Sequence, residues 1–284
     1  MKDRILITGA TGFIGTVVKE YLAKNLNQDK FDIFLTTRNK SNDSKSIFID
    51  LEDPSSILDL ENSFSFKYII HLASAIGWND ERNLFTSNIL STGCFAYLCK
   101  KWNAKLIFAS ASIIHGVKSE LITQDSNIIL DSKYGQSKFS AENLILASEI
   151  SNCILRISGV YGMDGPDHLQ INQAIREAYY NQQVPQNNLA NEIKRNYIYV
   201  KDLANFILHI IIDDIEGIHL VASPEELTVD QMLVMISGEF TGGQKIKNTN
   251  KYLGSNQIVL PSGAMKSFTL FKDSLAEMNK QKFK

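Results

Sequence analysis

The chain has 284 residues, 44% hydrophobic and 21% charged, with a formal net charge of −2. These proportions belong to a globular protein with a large core and exclude a disordered or fibrous chain. Lys and Arg are spread along the chain, so no electrostatic footprint for nucleic acid or an anionic membrane surface is expected.

Short apolar runs alternate with helical patterns over the first two-thirds of the chain. The N-terminal MKDRILITG enters a strand at Arg4–Thr8, so no signal peptide is expected, and the usage of Cys94, Cys99 and Cys153 suggests a reducing cytoplasm. Thr16–Asn25 carries a helical stripe, Phe31–Thr37 reads as a second strand and Ser46–Ile49 as a short third. Asp53-Pro54 has the form of a helix start, with Pro at the first helical position. Lys67–Ala73 is the fourth strand, Leu84–Lys101 a long amphipathic helix and Lys105–Ser110 the fifth strand. Tyr134–Ser148 is a second long helix and Ile154–Ser158 the sixth strand. This alternation predicts an α/β fold with a doubly wound parallel sheet of Rossmann type.

The rhythm breaks after Gly162. The polar stretch Val184–Asn196 separates helical segments, Gly217–Ser223 reads as one further strand, and Phe271–Lys284 is a helix that frays into lysines. The expected division is a dinucleotide-binding part over 1–162, its sheet completed by about 198–222, with a smaller substrate-binding part over 163–197 and 223–284. The longest apolar runs, such as Phe206–Ile212, are too short to span a bilayer. Cys94, Cys99 and Cys153 have no metal-type spacing, and the five histidines form no HxxxH or HExxH pair, so no metal is expected.

ITGATGFIG places Gly9, Gly12 and Gly15 directly after the first strand, where they open the first helix. Small residues there let the backbone approach a pyrophosphate, whose charge meets the unpaired N–H groups of the helix start. The cradle comprises Gly9, Thr11, Gly12, Phe13, Ile14 and Gly15. An acidic residue at the end of strand two would take the ribose 2′-hydroxyl of NAD. The sequence there is FLTTRNK, with no carboxylate until Asp43, and Arg38 is placed to hold a 2′-phosphate. NADP is therefore the expected cofactor, with NAD the alternative.

YGQSK sets Tyr134 and Lys138 four residues apart on one helix face. A phenol titrates near 10, too high for a proton shuttle at neutral pH, and a neighbouring ammonium favours its ionised form.

Together these segments resemble the extended short-chain dehydrogenases/reductases of the NAD-dependent epimerase/dehydratase family, which work mainly on nucleotide sugars. The resemblance comprises TGATGFIG at 8–15, DL at 50–51, HLAS at 71–74, SNILSTG at 87–93, YGQSK at 134–138, LRISGVYG at 155–162 and RNYIYVKDLA at 195–204. It implies that Asp50 and Leu51 flank the adenine, that Leu72 and Ala73 line the pyrophosphate side and that Asn88 supports the site. It further implies that Lys138 holds the nicotinamide ribose and that Arg195 grips the diphosphate of the substrate. Trp78, in the stretch Ala75–Arg82, would border the sugar pocket or serve packing.

The family normally has a Ser or Thr five residues before the glycine matching Gly116, and here that position is Ala111, with His115 where a tyrosine is usual. On an extended strand Ser110 and Ser112 share a face while Ala111 points away, so either can supply the missing hydroxyl, or neither does. The Asp-Glu pair that sugar dehydratases carry next is replaced by Ser112 and Ile113, which disfavours dehydration. The leading expectation is NADPH-dependent reduction of a nucleotide-linked 4-keto-6-deoxy sugar, in a pathway to a surface-polysaccharide deoxyhexose. The alternatives are a nucleotide-sugar C4-epimerase that retains NAD, and a non-catalytic dinucleotide-sensing protein. A homodimer packed through Leu84–Lys101 and Tyr134–Ser148 is also expected from the resemblance.

Overall fold

A computed structural model describes residues 2–39, 43–76, 81–189, 192–252 and 254–280. Its centre is a seven-stranded sheet built from β1 (Asp3–Thr8), β2 (Phe31–Thr37), β3 (Ser46–Phe48), β4 (Tyr68–His71), β5 (Lys105–Ala111), β6 (Asn152–Ile157) and β7 (Gly217–Val221). The order across the sheet is β7-β6-β5-β4-β1-β2-β3. The pairs around β1 are parallel, with Ile5 opposite Ile33 on β2 and Tyr68 on β4. Every residue of β4 is buried, as are the first six of β5. Such unbroken apolar runs belong to strands covered on both faces. One face meets α4 (Ser91–Trp102) and α5 (Lys133–Ala147), introduced below. There Leu6, Ile69, Leu106 and Ile154 of the strands pack with Phe95, Leu98, Ala141 and Ile145.

The helices follow the strands with local differences from expectation. α1 (Phe13–Asn25) begins three residues before the apolar stripe, because extended Gly12 serves as its N-cap. α2 (Ser55–Leu58) is a single turn, and Pro54 takes the cap rather than the first helical position. The helix expected over 84–101 is preceded by α3 (Glu81–Asn83) and wound in two pieces, a π-helical stretch Leu84–Leu90 and α4, which ends at left-handed Asn103. α5 is capped by Ser132, whose hydroxyl accepts from the Gly135 N–H at 3.1 Å. The later helices are α6 (Gln170–Asn181), α7 (Val200–Ile212), α8 (Val229–Phe240) and α9 (Phe271–Lys280).

By contacts the chain forms two compact units, 1–117, 127–156 and 203–219 in one, 118–126, 157–202 and 220–284 in the other. The second unit contains short ladders that sequence periodicity does not reveal: 160–161 with 198–199, 194–195 with 227–228, and 121–122 with 258–259. Two-residue strands carry no period to read. Within this unit Asn196 is buried and ties three segments, donating to the Ser223 and Val259 carbonyls at 2.7 Å each and accepting from the Val259 N–H at 2.9 Å. Among the described residues no helix is long and apolar enough to cross a membrane, and no group of three or more His, Cys, Asp or Glu could hold a metal ion.

Candidate active site

The carboxyl ends of β1, β4 and β5, with the start of α5, assemble a polar site in the first unit. Two glycines of the cradle are dictated by close approach. A Cβ on Gly9, which has φ +68°, would stand 2.8 Å from the Ala73 nitrogen, and one on Gly15 would stand 2.1 Å from the Gly9 carbonyl oxygen. Gly12 differs: its Cβ would meet only the Gly9 carbonyl, at 3.4 Å, and the residue is exposed. Thr11 is exposed, and Phe13 and Ile14 are half-buried on the first turn of α1. The N–H groups of that turn have no partner within the helix. These features suit the pyrophosphate of a dinucleotide, held by backbone amides at a helix start. When bound, a nicotinamide dinucleotide supplies hydride exchange.

The other expected cofactor residues surround this cradle. Arg38 is exposed one residue beyond the end of β2. Asp50 and Leu51, both half-buried, follow β3, where Asp50 accepts from the Glu52 N–H at 3.0 Å and Leu51 packs against the core. Leu72 and Ala73 follow β4, and the Ala73 N–H donates to the Thr8 hydroxyl at 3.1 Å. Thr8 in turn bonds His71 Nδ1 at 2.7 Å, and His71 Nε2 bonds the Thr92 hydroxyl at 3.1 Å. His71 is buried, and burial, with the nearby Lys138 ammonium, pushes its pKa down to about 3. The ring is neutral at any ordinary pH.

Asn88, on the π-helical stretch, uses its whole amide. Its oxygen accepts from the Ala75 N–H at 2.8 Å and the Ser74 hydroxyl at 3.1 Å, and its nitrogen donates to the Ala75 carbonyl at 2.9 Å and the Ser137 hydroxyl at 3.0 Å. Ser137 donates to the Tyr134 carbonyl at 2.8 Å. Asn88 thus joins the loop after β4 to the first turn of α5.

Tyr134 and Lys138 share a face of α5, with the Lys138 nitrogen 5.7 Å from the centre of the Tyr134 ring. Lys138 is buried, donates to the Ala109 carbonyl at 2.8 Å and lies 4.7 Å from the Phe108 ring centre. Burial lowers its pKa to about 7, against the opposing charge of Glu142. The expectation that the ammonium draws the phenol's pKa down is not what this geometry gives. Burial raises the Tyr134 pKa, and the opposing influence is a hydrogen bond with Ser74.

The two serines separate. β5 ends at Ala111, and Ser112 opens a 3₁₀ turn, Ser112–His115. The shared strand face expected for Ser110 and Ser112 is therefore lost, because strand alternation does not continue into the turn. The buried Ser110 hydroxyl donates to Glu142. Glu142 is 0% exposed and paired to Arg156, whose NH2 donates to it at 2.8 Å, and Arg156 NH1 donates to His115 Nε2 at 3.3 Å. Ser112 is buried at the start of its turn. Glu142 follows Lys138 by four residues, so the helical spacing that pairs Tyr134 with Lys138 also points to it. His71 and Ser74 lie in the HLAS segment at 71–74, but their contacts run across the sheet and no helical spacing marks them.

Arg195 stands in the second unit, half-buried, where its guanidinium donates to the Ser255 carbonyl and, at 3.0 Å, to the Lys194 carbonyl. With Tyr197 it lines a cleft of about 160 Å³ walled by His168, Gln170 and Met232. Trp78 lies outside the described residues.

Comparison with known proteins supplies the remaining constraint. A Methanocaldococcus jannaschii protein provisionally assigned as a UDP-glucose 4-epimerase is 31% identical over a match covering 56% of this chain and 56% of that protein. The match therefore spans little over half of that relative's own length. The UDP-glucuronate 4-epimerase of Thermodesulfobacterium geofontis is 28% identical over 70% of this chain and 68% of its own. The Bacillus cereus UDP-glucuronic acid 4-epimerase, solved in complex with NAD, superposes with a TM-score of 0.79 at 23% identity, covering 99% of this chain and 100% of that one, which shows the fold. The characteristic sequence of the NAD dependent epimerase/dehydratase family matches residues 5–221, and the chain belongs to that family.

Proposed function

We propose that this protein is a dinucleotide-dependent enzyme that interconverts a nucleotide-linked sugar at C4, working as an epimerase with retained NAD. The observation that carries the reading is the Tyr134–Lys138 pair on α5, in the same unit as a glycine cradle open only at Gly12. The named 4-epimerases among the relatives favour epimerisation over the net reduction expected from sequence. In this reading Tyr134 takes the proton of the sugar C4 hydroxyl as that carbon is oxidised and returns it after the keto sugar has turned. Lys138, titrating near neutrality, holds the ribose hydroxyls. Arg195 neutralises the substrate's diphosphate.

A second reading, reduction of a 4-keto sugar by NADPH, is favoured by Arg38 at the end of β2 with no carboxylate before Asp43. The two differ in stoichiometry. The purified protein is incubated with UDP-glucose and UDP-glucuronate, product is scored by chromatography, and dinucleotide consumption is followed by absorbance. C4 epimers formed without net cofactor turnover support the first reading. Stoichiometric oxidation of NADPH by 4-keto nucleotide sugars supports the second, and inertness in both assays sinks both. Under either reading Tyr134→Phe lowers turnover by about 10²- to 10⁴-fold while leaving dinucleotide affinity within a few-fold. Retained turnover in that variant removes Tyr134 from the reaction.

The protein is further proposed to pair as a homodimer through the π-helical stretch, α4 and α5, where Leu90, Tyr97, and Leu144 with Leu146 respectively are exposed apolar side chains.

A further inference from the structure

The imidazole of His71 takes no part in the proton transfer assigned to Tyr134, yet both of its nitrogens are committed. Parallel register sets His71 on β4 beside Thr8 on β1. The ring is 1% exposed and lies against Phe95 and Phe108, whose ring centres stand 4.7 and 5.7 Å away. Its polar contacts are made inside the protein, Nδ1 with the Thr8 hydroxyl at 2.7 Å and Nε2 with the Thr92 hydroxyl at 3.1 Å.

The directions of these bonds follow from their outer ends. Thr92 donates its one proton to the Asn88 carbonyl at 2.7 Å, so towards His71 it can only accept. Nε2 must therefore carry the imidazole proton. A neutral imidazole has a single N–H, which leaves Nδ1 bare and able only to accept from Thr8. Thr8 spends its proton on that bond and offers a lone pair to the Ala73 N–H at 3.1 Å. Every proton in the series Ala73, Thr8, His71, Thr92, Asn88 then points the same way, and bonds so aligned strengthen one another in dry surroundings. The series begins at the glycine turn, because a Cβ on Gly9 would stand 2.8 Å from the Ala73 nitrogen. It ends at Asn88, whose side chain holds Ala75 and, on α5, Ser137.

We infer that His71 is a positioning residue of the dinucleotide cradle. It is held as the Nε2–H tautomer, and its bare Nδ1 fixes the Thr8 hydroxyl and, through it, the Ala73 amide against the glycine turn. The opposite tautomer would aim an N–H at Thr8 and leave Nε2 facing a Thr92 hydroxyl whose proton is already spent. The inference rests on the reading of the glycine turn as a dinucleotide site, but the tautomer can be observed with nothing bound.

The test uses the full chain labelled with ¹⁵N-histidine. Long-range proton–nitrogen spectra are recorded at pH 7 without dinucleotide, the His71 signals being assigned by their loss in His71→Gln. Nε2 is expected at the position of a protonated ring nitrogen and Nδ1 far downfield, where a bare acceptor nitrogen resonates. An Nδ1–H tautomer or a doubly protonated ring overturns the inference. In the second arm NAD or NADP, whichever wild type binds more tightly, is titrated calorimetrically. Thr8→Val, which removes the acceptor of Ala73, is expected to weaken binding about tenfold, and His71→Phe by about three- to tenfold. The double variant is expected to be no weaker than Thr8→Val, since both changes remove one bond. His71→Gln, with an acceptor for Thr8 and a donor for Thr92, is expected to stay within about threefold of wild type. Circular dichroism confirms folding. Thr8→Val at wild-type affinity, or losses that multiply in the double variant, overturn the inference alone. A wild type that binds neither dinucleotide overturns the cradle reading, and the inference falls with it.

Discussion

At the scale of single residues, the site is organised by what burial does to charge. His71 is wedged between Thr8 and Thr92 with its pKa pushed down to about 3. Between that value and the ordinary value of a histidine, the unfolded chain binds a proton that the folded chain refuses. Stability therefore falls as pH drops through this window, by about 1.4 kcal/mol per unit from this residue alone. His71→Gln, whose amide can still reach both threonines, is expected to lose less stability between pH ~6.5 and ~4.5, measured by urea unfolding at each pH. Equal acid sensitivity in both proteins would refute the assignment. Lys138 works at the other end of the scale. Its folded pKa of about 7 lies below that of an exposed lysine, so the cost of burying its charge is fully present below neutrality and fades as pH rises towards the unfolded value. Lys138→Met should therefore raise thermal stability relative to wild type most at about pH 6.5, the gap narrowing by about pH 9.5. A gap that widens with pH contradicts a buried, easily deprotonated lysine.

At the scale of elements, each cradle glycine answers a different demand. Gly15 lies on the first turn of α1 against the backbone of Gly9, and a methyl group there would overlap the Gly9 carbonyl at 2.1 Å. Gly15→Ala is expected to disrupt the turn itself, lowering Tm by several degrees and abolishing dinucleotide binding together. Gly12 has room for a methyl on the protein side. Gly12→Ala should fold normally and lose dinucleotide affinity by ten-fold or more, read by calorimetric titration with NAD. Normal affinity in Gly12→Ala would mean that the opening above Gly12 is not where the pyrophosphate approaches. The same distinction explains how legible each element was. The strand–glycine–helix unit was legible because all its constraints are local in sequence. The π-helical stretch was not: an apolar stripe looks alike in either winding, and here the winding accompanies Asn88's bonds to the loop after β4.

At the scale of the whole molecule, strands and helices that the apolar periodicity marked reappear within one to three residues, except that α2 is one turn and the helix over 84–101 is partly π-wound. From sequence, completion of the first part's sheet was set at about 198–222, and 118–126 was not set apart from that part. Residues 118–126 and 157–162 belong with the second unit and 203–219 with the first, a matter of contacts between segments far apart in sequence. The exposed apolar side chains Tyr97 on α4 and Leu144 and Leu146 on α5 bear on assembly. If they are covered by a second copy, wild type sediments as a dimer at micromolar concentration, and Leu146→Glu, which places a charge on that face, sediments as a monomer with unchanged far-ultraviolet dichroism. A wild-type monomer would leave the patch without its proposed partner.

What the amino-acid order determined alone was the local chemistry: a glycine turn between a strand and a helix, a phenol and an amine one helical turn apart, and an alanine where relatives carry a hydroxyl. Each is a pattern of neighbours, and neighbours are what the order specifies. Tertiary structure decided how those parts are wired. Strand geometry stops at Ala111, so Ser110 turns to Glu142 and Ser112 enters a turn. Parallel packing of β4 beside β5 brings the loop after His71 to the start of α5, where Asn88 bonds to both. Hydrogen-bond partners some sixty residues apart are chosen by sheet order and burial, and neither is written in any one segment.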